Sequence, residues 1–205
     1  DAAAAYRLVC RIPEHLKTEG TKRVAFKILT RVADLEPDAL EGVTDAIVRE
    51  SAKAENEEVI SAIESLFKKI ARRPDVQFQS GNPDIAEDIA GGILNRAKRQ
   101  AVSDELVGTL LDISAKYGLQ PVSCEIAREY RHMPAAQPGV AHYITEHGDI
   151  TDSDASELLA GVQESINRDN LYRGLETLKH LDGANPNLIR DHAEAIIKGC
   201  IESGT

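Results

Sequence analysis

Three stretches of the chain share one 13-residue register: EPDALEGVTDAIV at 36–48, NPDIAEDIAGGIL at 82–94 and NPNLIRDHAEAII at 185–197. Each places proline second, Asp or Asn third, Ala or Gly eleventh, isoleucine twelfth and a branched aliphatic residue thirteenth. The pattern predicts a repeated helix. Asn82 and Asn185 can cap exposed amides, while Pro83 and Pro186 occupy the first helical position, where no N–H is needed. Asp38 and Asp84 put negative charge at the positive end of the helix dipole, and Glu36 is a poorer cap. Ala46, Gly92 and Ala195 are small enough to admit a neighbouring helix. Ile47 with Val48, Ile93 with Leu94 and Ile196 with Ile197 then supply a buried stripe. A unit that recurs in this way stacks on its copies, and such stacks more often bind than catalyse.

Elsewhere apolar residues recur at intervals of three and four with almost no strict alternation, so the class is all-α. Proline, glycine and asparagine mark the breaks. Helices are expected at 2–11, ending near Pro13, and at 21–35, with Val24, Ile28, Val32 and Leu35 on one stripe. Further helices are expected at 38–53, 56–72, 84–98, 103–117, about 122–131, 154–168, 170–181 and 187–202, with an irregular segment at about 131–152. Leu29 and Val32 stand eight and five residues before Pro37, and Leu178 and Leu181 stand at the same distances before Pro186. The repeat therefore extends to the preceding helix.

On these helix starts and pairs the chain resembles the HEAT/armadillo-like helical-repeat (α-solenoid) family over most of residues 21–203. The resemblance implies antiparallel helix pairs, roughly 21–53, 56–98, 103–131, a degraded pair around 138–168, and 169–203, stacked as one repeat domain over 1–205. Pro37 and Pro83 are 46 residues apart, but Pro83 and Pro186 are 103 apart and 121–168 matches weakly. An irregular helical bundle is the alternative architecture.

Acidic residues outnumber basic ones by 34 to 24, a net charge of −10, which disfavours a chain that coats nucleic acid or anionic lipid. Cys10, Cys124 and Cys200 form no CxxC and cannot all pair, so they are expected as reduced core thiols. The opening DAAAAYRLVCR carries no export signal, and no apolar run approaches the about 20 residues of a membrane span. The expected setting is cytoplasmic and soluble.

Chemistry-bearing motifs are scarce. The segment RHMPAAQPGVAHYITEHGDIT gathers His132, His142, His147, Glu146 and Asp149, but His142 and His147 are five residues apart and diverge around a helix. HExxH-type zinc chelation needs one helical turn. No metal site is expected there. Asp149, Asp152, Asp154 and Glu157 lack EF-hand spacing; Asp154 and Glu157 read as a capping arrangement before Leu158 and Leu159. Neither GxGxxG, GxxxxGK[ST] nor GxSxG occurs. No catalytic residue and no cofactor is therefore expected.

Basic residues gather at the ends of predicted helices, where cations offset the carbonyl dipole. Lys69, Arg72, Arg73, Arg96 and Arg99 are the candidate partner-binding edge. The expected function is a non-enzymatic scaffold or adaptor for a protein or peptide partner. The alternative is a nucleic-acid-associated HEAT-like protein, of the DNA-repair enzyme type, using these basic ends.

Overall fold

The computed structural model describes residues 2–72, 81–167, 171–184, 186–190 and 197–198. The chain is all-helical, with no strand among the described residues. It opens with α1 (Ala2–Val9), α2 (Ile12–Lys17) and α3 (Glu19–Leu35), followed by a 3-10 helix over Pro37–Val43. Then come α4 (Thr44–Ser51), α5 (Glu57–Ile70), α6 (Pro83–Ala97), α7 (Asp104–Tyr117) and α8 (Cys124–Arg128). The remaining helices are α9 (Gln137–His147), α10 (Asp152–Asn167), α11 (Leu171–Ala184) and α12 (Pro186–Arg190). None of the described helices is long and apolar enough to cross a membrane.

The chain divides into two compact units, Asp1–Leu106 with Lys116–Pro121, and Val107–Ala115 with Val122–Thr205. Within the first, helices pack on their second neighbours: α2 on α4, α3 on α5, and α4 on α6. Phe26, Leu29, Ile47, Ile63, Leu66 and Ile89 are fully buried there. Within the second, α9 packs on α11 and α8, and α11 also meets α10 and α12. Tyr143 is fully buried among its apolar neighbours, and its hydroxyl donates to the Val122 carbonyl at 2.7 Å.

The repeated register starts a capped α-helix in one copy and buries its isoleucine in two. Asn82 caps α6 by accepting from the Ile85 amide at 3.1 Å, with Pro83 at the helix start. Glu36 makes no side-chain cap bond, and its copy starts as the tighter 3-10 helix before α4 takes over at Thr44. The expected single helix 38–53 is thus corrected to two elements. Ile47 and Ile93 are both fully buried, and Val48 packs on Gly92, where an added Cβ would lie 2.8 Å from a Val48 methyl. In the third copy Asn185, Ala195 and Ile196 fall outside the described residues, while Ile197 is exposed, unlike its counterparts Val48 and Leu94.

Other expectations are also corrected. Pro13 does not end a helix but sits in the first turn of α2, where its missing N–H costs nothing. The buried face of α3 comprises Lys22, Ala25, Phe26, Leu29, Val32 and Ala33, and leaves Val24 and Leu35 exposed. Half of the irregular segment at 131–152 is helix α9, started by Pro138 and held by buried Val140, Ala141, Tyr143 and Ile144. Cys10 is exposed rather than a core thiol, Cys124 is half-buried, and Cys200 falls outside the described residues.

Candidate functional site

Exposed apolar surface in the first unit converges between α1 and α3. Leu8 and Leu35 are 43% and 66% exposed, and with Ala5 and Ile28 they line a groove of about 430 Å³. A lone exposed leucine needs no explanation, but apolar side chains sharing one concave wall do. The groove follows from the pattern of α1. In AAAAYRLV only Val9 is buried, and Ala2, Ala4, Ala5 and Leu8 line the recess that α1 leaves beside α3. Arg31 and Glu36 form its polar margin. Arg31 donates to Asp34 at 3.0 Å.

The candidate basic edge is divided. The Asn82 amide donates to the Ile70 carbonyl at 3.0 Å, so α6 begins where α5 ends. At the other end of α6, Gln100 donates to the Ala52 carbonyl at 3.3 Å, just before the start of α5. Lys69 and Arg72 therefore lie at one end of this helix pair, and Arg96 and Arg99 at the other. The length of α6, about 20 Å, separates them. Lys69 is also engaged, donating to Asp34 at 2.7 Å, and this bond holds the Asp34 carboxyl below its ordinary value, with Arg31 and Arg72 adding to the effect. Arg73 falls outside the described residues.

The histidines of α9 also separate. The His147 ring lies 4.7 Å from that of Tyr143, whereas His142 meets Asp112 of α7 and His180 of α11. Sequence reasoning missed Asp112 and His180 because they lie 30 and 38 residues from His142, and no local spacing signals such a meeting.

The second unit also holds an ion network. Asp154 accepts from Arg128 Nε at 2.9 Å and Arg131 Nη1 at 3.1 Å, and Arg131 Nη2 donates to Glu157 at 2.7 Å. Thr151, not Asp154, caps α10: the Asp154 amide donates to Thr151 Oγ1 at 3.2 Å, and the Thr151 amide donates to Asp154 at 3.1 Å. This reciprocal box corrects the expected Asp154–Glu157 arrangement.

In comparisons with known proteins, no family model, no curated protein and no solved structure matches the chain.

Proposed function

We propose that this chain is a non-catalytic scaffold that binds a protein or peptide partner, with the helices of its first unit stacked in the manner of HEAT-like repeats. The groove between α1 and α3 carries the reading, because it gathers exposed Leu8 and Leu35 on one concave wall. Packing of α2 on α4, α3 on α5 and α4 on α6 supports the stacking. The occupant that fits is an amphipathic helix whose apolar residues at i, i+3 or i+4, and i+7 enter the groove. The net charge of −10 favours basic flanks on that helix.

The test compares wild type with the Leu8→Glu/Leu35→Glu variant. Both positions are exposed, so the variant keeps its helix content and melting temperature. Partners captured by wild type are identified by mass spectrometry, and the binding segment is titrated as a peptide. The variant is expected to lose about 30-fold or more in affinity, the scale of an interface hot spot. Equal affinity of the two chains for the peptide sinks the proposal.

A further inference from the structure

Asp112, His142 and His180 stand on three helices of the second unit, and each offers a ligand atom within 4.8 Å of the other two. Two glycines make this meeting close. A Cβ built on Gly139 would lie 1.9 Å from the Gly108 carbonyl oxygen, so α7 and α9 are in backbone contact at this pair. Asp112 follows Gly108 by four residues and His142 follows Gly139 by three, which places both one turn along from the contact. Asp112 Oδ1 and His142 Nδ1 are 2.7 Å apart, and the His142 ring stacks on that of His180 with centroids 4.1 Å apart.

We propose that Asp112, His142 and His180 form a site for one divalent transition-metal ion of the zinc class, joining α7, α9 and α11. Two imidazoles and a carboxylate are a nitrogen–oxygen donor set suited to such an ion, and three protein ligands leave a fourth position for water. Helical proteins build such sites from side chains on facing helices.

Binding requires two small movements. Bonds of about 2 Å to a tetrahedral ion separate ligand atoms by about 3.3 Å, so the Asp112–His142 contact of 2.7 Å opens by about 0.6 Å as the ion replaces the proton between them. His142 exchanges its Nδ1 proton for one on Nε2 through solvent, so it ligates through Nδ1 as a neutral imidazole. The stacked rings are only 12° from parallel and hold their lone pairs in parallel planes, so the His180 ring turns to reach the same ion. The spacing that sets His142 and His147 apart is irrelevant here, because His147 takes no part. Metal binding at these helices is independent of the groove between α1 and α3.

The test titrates tag-free full chain with zinc chloride alone, in a Cys10→Ser background that removes an exposed thiol. The expected result is one zinc per chain and a melting temperature that rises with zinc. His142→Gln and His180→Gln should each weaken binding by about 100-fold or more, exceeding the usual loss for an outer-sphere partner. Asp112→Asn, at a half-exposed position, tests the site without disturbing the core and should weaken binding at least about tenfold. The exposed-ring control His132→Ala should bind as wild type. Cobalt substitution should give the strong visible bands of four-coordinate geometry in wild type and not in His180→Gln. No saturable zinc binding, or equal affinity in wild type, His180→Gln and Asp112→Asn, would show adventitious surface binding only and overturn the proposal.

Discussion

Asp154 exposes none of its surface, yet the groups around it favour the charged form. Burial pushes its carboxyl up, but the Thr151 amide and the Arg128 guanidinium outweigh that and leave it below its ordinary value of 3.8. Replacing Asp154 with Ala removes the shared acceptor of Arg128 and Arg131 and half of the capping box. The expected loss is about 3 kcal/mol by urea denaturation, at the low end for breaking a buried pair because both arginines retain some solvent. The pH dependence has a definite sign. A depressed carboxyl contributes stability that is fully present above 3.8 and is lost as pH falls through its lower folded value. Wild type should therefore lose more stability than Asp154→Ala between pH 5 and pH 2, and parallel urea midpoints across that interval would refute the assignment. The sequence reading placed the cap one turn late. Thr151 and Asp154 have the same spacing as Asp154 and Glu157, and only the hydroxyl's position at the helix start distinguishes them.

The start of α6 was legible because its cap is an asparagine followed directly by proline. Asn82 and Pro83 determine the start of α6 within a few residues, so the motif carries its own geometry. Glu36 offers no cap bond, and the same register winds first as a 3-10 helix, a difference the motif hinted at but could not resolve. Helix α9 was hidden because its histidines and glycine resemble loop composition, although Val140, Ala141, Tyr143 and Ile144 form a buried helical face. The repeat's small position can be tested directly. Val48 methyls would lie 2.8 and 2.9 Å from a Cβ on Gly92, contacts that must shift. Gly92→Val adds further atoms to a packed α4–α6 contact and should cost about 2 kcal/mol, seen as a melting temperature lower by about 4–8 °C. Gly92→Ala should cost less, because the Val48 side chain can turn. Equal stability of Gly92→Val and wild type would separate the repeat from the packing of α4 on α6.

Over the whole molecule, period and composition were enough to give the all-helical class, because that signal is summed over many segments. Contacts between distant segments were not legible. Asp112, His142 and His180 share no motif, and the division of the basic residues depends on where α6 begins relative to α5. That division matters for the nucleic-acid alternative. A phosphate backbone is held by cations acting together along its path, and release of its counterions makes binding fall steeply with salt. Lys69 is already bonded to Asp34, and the other helix end, with Arg96 and Arg99, is about 20 Å away along α6. The surrounding charge of −10 opposes a polyanion further. Titration of duplex and single strands at roughly physiological salt should therefore give no sub-micromolar binding. Changing Lys69, Arg72, Arg73, Arg96 and Arg99 to Ala should leave affinity for the groove-binding peptide unchanged. Tight, steeply salt-dependent binding that these five changes abolish would instead make the basic helix ends the working surface and displace the scaffold reading.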